Sequence, residues 1–542
     1  MEQQDLHKRL LLALSLSFAV LIGFSYFAPT ETPISDQNKT VSNTQNGVTS
    51  SNTAPAVSST TGTAPSEKMP TTSVSSKVSV NEQVTITKIQ AKDYTLVIDK
   101  FGRISSAKLL KEKYRDEDDK HIELFNPEEI LPLEVRFSDA TLNDEAFKTS
   151  YTADQPTVVV GSTPATVILT QKLSTLTLTK KLTFYPDGHY DIDISSDKKA
   201  RFFITPGHRP DADHSMYMLV RGALVRNTEG IITTIEDGDM EKSLSIPNAT
   251  IVSAFDRYDA SIFYDFTNPM NVTMSVDKED NPLSFVQIDS SSKLHGYIGP
   301  KDWNTFEAIN PELTNAVEFG WFTFLSKPFF KVMLWIHNYV GNWGWAIILF
   351  TLLVKLVLFP LSYKGMMSMQ KLKDLAPKMK ELKEKYSKDP AKMNQQMMEL
   401  YKKHGANPMG GCLPMLLQIP VFFALYRVLL NADEMQGAPW IGWIVNLADK
   451  DPYYILPILM GASMFLQQKI TPNTMTDPLQ QKIFQYFPVI MTFFFLTFPA
   501  GLVLYWFTNN VLSIAQQYYI NRAYEKYKLQ IKVEHNKSVQ KG

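Results

Sequence analysis

The sequence WGWAIILFTLLVKLVLFPL occupies residues 343–361 and is apolar except for the hydroxyl of Thr351 and one charge, Lys355. At 1.5 Å per residue, a helix of this length covers the hydrocarbon core of a bilayer. A lysine within it costs roughly 2.5–3.5 kcal/mol on insertion scales. Two explanations stay open at this point. The stem of Lys355 could carry the ammonium to the headgroups, or the charge could face a wet cavity inside the membrane.

The composition of the whole chain conceals two unlike halves. The 542 residues carry a net charge of −1, because a polar first half dilutes a very apolar second half. A chain of this length is expected to form several domains. The single cysteine, Cys412, excludes an internal disulfide, and no Cys/His spacing indicates a zinc site. No Walker A motif is present, and we expect no cofactor.

The N-terminus predicts a membrane anchor followed by a tether. Lys8 and Arg9 precede an apolar run over residues 10–28. This run is longer than the apolar region of a cleavable signal peptide, so residues 1–28 are expected to remain as an anchor with a cytoplasmic N-terminus. Residues 29–80 are rich in Ser, Thr, Asn, Pro and Gly, and predict a disordered tether.

Residues 81–315 predict a large extracytoplasmic all-β domain. Short β-branched runs alternate between apolar and polar residues and are divided by turn signals, which is typical of a β-sandwich. The nearest candidate for a metal site is the group His208, Asp211, Asp213 and His214. Its spacing matches no zinc or hydrolase signature, so a polar loop is the preferred interpretation.

Residues 321–340 predict an amphipathic helix lying in the membrane interface. Lys327, Lys331 and Asn338 share one stripe of the helix, while aromatic and apolar residues cover the remainder. A further spanning helix is the alternative, but Pro328 and the two lysines disfavour it.

Residues 364–408 predict a cytoplasmic helical hairpin with eleven lysines against five acids. Apolar side chains recur every three or four residues in both limbs. Asp389 and Pro390 supply an N-cap and a first-turn proline for the second limb, and Pro377 is expected to break or kink the first.

Four more apolar runs complete a predicted core over residues 341–520. They occupy residues 411–430, 454–468, 483–498 and 499–519, and with the run at 343–361 and the anchor they give six spans. The hairpin and the tail 521–542 are basic, whereas the loop 432–452 is acidic. The excess of Lys and Arg places hairpin and tail in the cytoplasm and the β-domain outside.

Five motifs in this order carry a resemblance to a known family. They are YVGNWG at 339–344, NPMGGCLP at 407–414, DPYYILP at 451–457, TDPLQQK at 476–482 and FPAGLVLY at 498–505. Together with the order of anchor, tether, β-domain, interface helix and spans, they resemble the YidC-type membrane protein insertases of Gram-negative bacteria. The fold that this implies is a polytopic α-helical membrane core of five helices plus the anchor, with the β-sandwich outside the cytoplasm.

The resemblance implies a hydrophilic groove, open to cytoplasm and lipid, that receives client segments. Lys355 matches the position of its positive charge, which is an arginine in most of the family, and this favours the wet cavity over snorkelling. The other implied groove residues are Thr351, Gln418, Tyr505, Trp506, Asn509 and Ser513. An apolar slide for client helices would use Ile419, Phe422 and Phe494. Taken alone, Gln418 also suits an interhelical hydrogen bond, and the slide residues suit ordinary packing or lipid contact.

The implied activity is membrane protein insertion and folding without chemical catalysis. The implied partners are nascent membrane proteins, membrane lipids, ribosomes or targeting factors at 364–408 and the tail, and the Sec translocon. Two rivals remain at this stage. A secondary transporter could hold a buried lysine but would show inverted repeats, and a membrane-anchored glycan-binding or glycan-processing protein would need a site in the β-domain.

Overall fold

The structure is a computed structural model. It describes residues 84–115, 120–212, 220–317, 319, 323–387, 389–405, 413–471 and 478–539. The predicted anchor at 1–28 and the tether at 29–80 lie outside the described residues.

The β-domain is built from short strands, as the alternating sequence predicts. Its first strands are β1 Thr85–Gln90, β2 Tyr94–Asp99, β3 Ile104–Leu109, β4 Val135–Phe137, β5 Thr152–Ala153, β6 Thr157–Val159, β7 Ala165–Lys172, β8 Thr177–Phe184 and β9 His189–Ser196. The remainder are β10 Arg201–Ile204, β11 Gly222–Asn227, β12 Ile232–Glu236, β13 Leu244–Phe255, β14 Asp259–Tyr264, β15 Met270–Val276, β16 Pro282–Asp289 and β17 Ser291–Pro300. A short helix, α1 Ala140–Ala146, follows β4.

Among the described residues these strands form two sheets. The smaller has the order β3-β2-β1-β6, and the larger runs β4-β10-β16-β15-β13-β14-β17-β9-β8-β7-β5, with β11 and β12 added beside β13. Pairing is antiparallel except between β1 and β6. Apolar faces of the strands close on a continuous core that includes Leu96, Leu182 and Ile192. Strand β14 is buried on both faces, with Phe263 in this core and Ile262 in a second cluster that includes residues of the helices. The predicted β-sandwich is confirmed.

The second half of the chain is helical. Its helices are α2 Trp303–Ile309, α3 Thr323–Val340, α4 Trp343–Lys385, α5 Pro390–His404, α6 Leu413–Asn431, α7 Ile455–Ile470, α8 Pro478–Phe495 and α9 Ala500–Val539. Helix α9 packs against α7 and α4, and α6 packs against α3 and α4. Short 3₁₀ turns occupy Pro311–Ala316 and Asp433–Met435.

Helix α3 covers the predicted interface helix from residue 323 onward. Phe330 and Met333 are buried against the core, while Phe324 and Trp335 are exposed. The Ser326 hydroxyl donates to the Ala424 carbonyl of α6 over 3.1 Å, which joins the two helices. The location of α3 in a membrane interface stays a prediction.

The helix break considered at Pro377 is not present, because α4 runs through this residue. Asn342 caps its start by accepting from the Trp345 amide, and the helix then continues through Pro360 and Pro377 to Lys385. The spanning segment and the first limb of the hairpin are therefore one helix. A proline removes one backbone hydrogen bond of the helix. Here Leu375 and Met379, on either side of Pro377, pack against α5, and that burial keeps the helix intact.

The second limb begins and ends as the sequence predicts. The Asp389 side chain accepts from the Lys392 amide, Pro390 occupies the first turn, and Gly405 ends α5 in the left-handed conformation at φ 58°. The predicted N-cap is confirmed.

Helix length and apolarity test the predicted spans only in part. Within the described part of the chain, α4 is the one helix long and apolar enough to cross a membrane, and Gln418–Asn431 and Ile455–Ile470 are shorter apolar helices. The count of six spans stays a prediction. Helix α9 continues to Val539, so most of the basic tail extends the last helix.

Candidate functional site

The charge within α4 is directed at a neighbouring helix. The Lys355 ammonium donates to the Ser513 hydroxyl of α9 over 2.9 Å, and that hydroxyl donates in turn to the Asn509 carbonyl over 2.7 Å. Ser513 is buried and Lys355 is half-buried. The Lys355 ammonium is therefore hydrogen-bonded to a hydroxyl inside the helical core. This arrangement is expected when an ionisable residue faces the interior of a helix bundle.

A second polar contact joins α6 to α9. The Gln418 side-chain amide donates to the Tyr505 hydroxyl over 2.6 Å, and Tyr505 is buried. Interhelical hydrogen bonds of this type stabilise membrane helix pairs. The alternative considered for Gln418, an interhelical hydrogen bond, is what the structure contains.

Phe422 lies one turn beyond Gln418 and covers this contact. Its ring packs edge-on against Trp506 at 4.8 Å between centroids and is stacked on Tyr505 at 6.5 Å. Gln418, Phe422, Tyr505 and Trp506 thus form one cluster between α6 and α9. Phe422 is a packing residue of this cluster and is only half exposed.

Thr351 is placed differently from the other polar candidates. It is buried, and its hydroxyl donates to the Ile347 carbonyl of its own helix over 2.6 Å. A threonine that bonds the preceding turn presents its methyl group to its neighbours. Thr351 therefore adds no polar link to another helix.

The two remaining candidates for an apolar slide lie at the surface. Ile419 is 45% exposed and Phe494 is 42% exposed. Phe494 also packs against Phe498 at 4.8 Å between centroids. Such exposed side chains on apolar helices are suited to contact lipid or a client helix.

Sequence reasoning missed most of a polar stripe on α9. Asn510, Ser513, Gln517 and Asn521 recur every three or four residues, and the first three are buried. The Asn510 amide donates to the Ser463 hydroxyl of α7 over 3.1 Å, and the Gln517 amide donates to the Asn521 carbonyl oxygen over 2.6 Å. The helical spacing of these residues in the last apolar run is the signal that could have identified the stripe.

Two of the four residues considered as a metal site, His208 and Asp211, lie among the described residues. In the described residues no group of three or more His, Cys, Asp or Glu side chains is arranged to hold a metal ion. His208 Nδ1 contacts the Arg209 carbonyl at 3.2 Å, and Asp211 pairs with the Arg209 guanidinium. Asp213 and His214 lie outside the described residues.

Comparison with known proteins identifies the two halves of the chain separately. Residues 86–332 match the family model described as the YidC periplasmic domain, and residues 335–527 match the 60Kd inner membrane protein model. The chain is 50% identical over 522 residues to the membrane protein insertase YidC of Campylobacter jejuni, covering 96% of both chains. The chain belongs to the YidC family of membrane protein insertases.

A second curated relative agrees with this membership. The YidC insertase of Wolinella succinogenes is 48% identical over 530 residues, covering 97% of this chain and 96% of that one. Among solved structures, an active YidC insertase with its first transmembrane domain resolved shares 18% identity, with a TM-score of 0.36 over 81% of this chain and 95% of that chain.

Family membership shows which of several predictions from the sequence are correct. The chain is an inner-membrane protein whose β-domain is periplasmic. The relatives are named as insertases and not by a chemical reaction, and the matches support neither the secondary transporter nor the glycan-processing alternative.

Proposed function

We propose that this protein inserts client transmembrane segments into the inner membrane, and aids their folding, through a polar groove between α4, α6 and α9. The observation that supports the groove is the hydrogen bond of Lys355 to Ser513 within the apolar part of two helices. The groove residues are those predicted from the sequence, Thr351, Lys355, Gln418, Tyr505, Trp506, Asn509 and Ser513, extended by Asn510.

The protein lowers the free-energy barrier to insertion of a client segment, and this needs no chemical step. A short hydrophilic end of a client loses hydration when it enters the membrane, which is costly unless polar groups replace the water. The Lys355 ammonium and the hydroxyls and amides of the groove supply such replacements, and the positive charge favours acidic client segments. Transfer of the apolar client helix into lipid then drives the reaction.

The lipid-facing side of the proposed groove is apolar. Ile419 on α6 and Phe494 on α8 are exposed, and Phe422 is partly exposed where it packs on Tyr505 and Trp506. A client helix that leaves the groove along these residues passes from polar to apolar contacts without exposure to bulk water. We propose these three as the slide.

The proposed organisation follows the boundaries read from the sequence. An anchor at 1–28 and a tether at 29–80 precede a periplasmic domain at 81–315, an interface helix at 321–340, a core at 341–520 and a basic tail at 521–542. The core crosses the membrane five times and the anchor once. Both termini and the hairpin 364–408 are cytoplasmic, because these segments carry the excess of Lys and Arg.

The proposed cytoplasmic partners are polyanions. The hairpin and the tail would contact ribosomes or targeting factors through clustered lysines, in a salt-dependent way. The protein would work alone or beside the Sec translocon.

The test is site-specific photocrosslinking from the groove to a nascent membrane protein. A photoreactive residue replaces Gln418 or Phe494, and the matched control replaces Val357, which is 70% exposed on α4. We expect client crosslinks from the first two positions and several-fold fewer from the control. Equal yields from all three positions would show that clients do not use this groove.

A further inference from the structure

The periplasmic domain contacts the end of α6 that faces it. The Arg257 side chain, in the turn between β13 and β14, donates through Nε to the Leu430 carbonyl over 2.7 Å, and Arg257 is buried. Leu430 lies in the last turn of α6, where backbone carbonyls have no partner within the helix. An arginine at this end also interacts favourably with the helix dipole.

A buried ion pair lies directly beyond the end of α6. Asp433 is fully buried, and its Oδ2 accepts from the Lys113 ammonium over 2.7 Å and from the Tyr114 hydroxyl over 2.9 Å. Lys113 and Tyr114 belong to the loop after β3 of the periplasmic domain. Two separate segments of that domain therefore contact the core close together, at Leu430 and at Asp433.

A third segment contacts the next residue. The Glu434 carboxylate accepts from the Trp303 amide at the start of α2 over 2.9 Å. We call the contacts made by Lys113, Tyr114, Arg257, Trp303, Asp433 and Glu434 the outer joint.

Acidic groups outnumber the cations that face them in the outer joint. Asp302 lies beside Asp433 and Glu434, and Asp259 lies beside Asp433. Asp256 lies next to Asp259, and the Lys301 ammonium donates to the Asp256 carbonyl over 2.7 Å. Tyr297 faces Asp259 and Asp433 as well.

The consequence is that the pKa values of the joint carboxyls are raised. Burial, with the neighbouring Asp433 and Asp302, raises the pKa of Glu434 to about 8. Part of the Glu434 side chain remains exposed, but its carboxyl is enclosed. Burial likewise raises the pKa of Asp433 against the opposing effect of Lys113, and burial with Asp256 and Asp433 raises that of Asp259.

We propose that the outer joint positions α6 for insertion, so that the periplasmic domain sets the placement of the groove residues Gln418 and Phe422, and that protonation of Glu434, whose carboxyl accepts from the Trp303 amide, strengthens this contact. Lys113, Arg257 and Asp433 are positioning residues, since none touches the proposed groove. This inference rests on the proposed function. It adds to that function a role for the periplasmic domain and a dependence on periplasmic pH.

The direction of the pH effect follows from linkage. A released Glu434 titrates near its ordinary value of 4.5, whereas in the joint it titrates near 8. Between these values the docked form holds a proton that the released form has lost. Docking therefore weakens as the pH rises from about 4.5 to about 8, by up to about tenfold per pH unit for one carboxyl, and then levels off.

The test measures the distance between the periplasmic domain and the core in full-length protein in nanodiscs. Spin labels are placed at Lys293 and Val445, both exposed, after Cys412 is replaced by serine. We expect one narrow distance distribution at pH 5.5 and a growing broad component towards pH 8.5. Glu434→Gln should remove most of this pH dependence.

Substitutions at Lys113 separate positioning from general folding. Lys113→Met should broaden the distribution and lower client crosslinking from position 422 several-fold, and Lys113→Arg should restore both. Lys111→Met is the matched control, because Lys111 pairs with Asp93 at 3.3 Å on the exposed surface of the same loop. It should change neither measurement.

Each result bears on a different conclusion. A broadened distribution with unchanged crosslinking from 422 would overturn the positioning role and leave the proposed insertase function intact. A distance distribution that stays narrow at every pH would overturn the proposal that protonation strengthens docking of the periplasmic domain. Absence of client crosslinks in the unmodified protein would instead contradict the proposed function, and the distance measurement would still report on the joint.

Discussion

The Lys355 ammonium and the Ser513 hydroxyl, 158 positions apart in the chain, form a 2.9 Å hydrogen bond between α4 and α9. One cation in an apolar helix is thereby held at a fixed place in the helical core. A hydroxyl can accept from the ammonium but cannot neutralise it, so the positive charge remains available to an acidic group. This arrangement makes Lys355 the first target for mutation.

Replacing Lys355 tests the role of its charge. Lys355→Ala and Lys355→Glu should reduce insertion of clients with acidic translocated ends, with glutamate the more severe because it repels them, whereas Lys355→Arg should retain most activity. Insertion into proteoliposomes measures this. Lys364→Ala, an exposed lysine further along α4, is the control. Full activity of Lys355→Ala on an acidic-tailed client would remove the charge from the mechanism.

The Gln418–Tyr505 bond should be measurable by a double-mutant cycle. Gln418→Leu and Tyr505→Phe each remove one partner, and we expect a coupling free energy of about 0.6 kcal/mol, the average for hydrogen bonds between membrane helices. Unfolding in detergent provides the free energies. Thr351→Val combined with Tyr505→Phe is the control and should be additive, because Thr351 bonds its own helix. A zero coupling for the first pair would mean that the contact adds nothing to stability.

Gly461 should be required for the close approach of α7 and α8. A Cβ atom at this position would lie 1.8 Å from Thr492 Oγ1 and 3.1 Å from its Cβ. Gly461→Ala should therefore lower the free energy of unfolding by about 1–3 kcal/mol, the usual cost of overpacking, and Thr492→Ala should restore part of the loss. Gly161→Ala, with no atom within 4 Å of its built Cβ, should be neutral. Thermal unfolding of Gly461→Ala, of the double variant Gly461→Ala/Thr492→Ala and of Gly161→Ala measures the difference.

The outer joint predicts a loss of stability when its cation is removed. Lys113→Met leaves the fully buried Asp433 carboxyl without the ammonium that pairs with it at 2.7 Å, so we expect a lower midpoint of thermal unfolding in detergent. Lys111→Met, whose lysine pairs with Asp93 at the exposed surface, should leave the midpoint unchanged. Equal midpoints for the two variants would contradict this account of the joint.

The groove residues named from the sequence share one property: each is a polar group in an apolar run. Lys355 and Gln418 stand out because a buried charge or amide in a spanning helix requires a partner. The β-sandwich was equally readable, since alternation along a strand is local.

Features that depend on distant packing were missed. Lys113 and Asp433 are 320 positions apart, and both belong to segments that look like ordinary polar loops. Pro377 was expected to interrupt a helix that side-chain burial against α5 keeps continuous. The continuation of α9 into the basic tail was missed for the same reason, since the tail helix is held by contacts with α4, which is distant in the sequence.

The contacts between α9 and α4 also lead to a prediction about the basic tail. The Asp374 carboxylate of α4 accepts from the Tyr524 hydroxyl over 2.9 Å and pairs with the Lys528 ammonium at 2.8 Å, so the tail helix is fastened to the hairpin. Ending the chain after Asn521 removes six basic and two acidic residues as well as this attachment. We expect weaker co-sedimentation with ribosomes and a shallower dependence of binding on salt, because fewer cations are displaced from the polyanion.

Asp374→Asn separates the two effects of that truncation. It removes the ion pair with Lys528 but keeps every basic residue of the tail. If charge alone binds ribosomes, this variant should bind as the unmodified protein does at each salt concentration. If the fixed position of the tail matters, its binding should fall towards that of the truncated chain. Ribosome binding that is unchanged by the truncation itself would exclude the tail from this contact and leave the hairpin lysines as the basic surface to test.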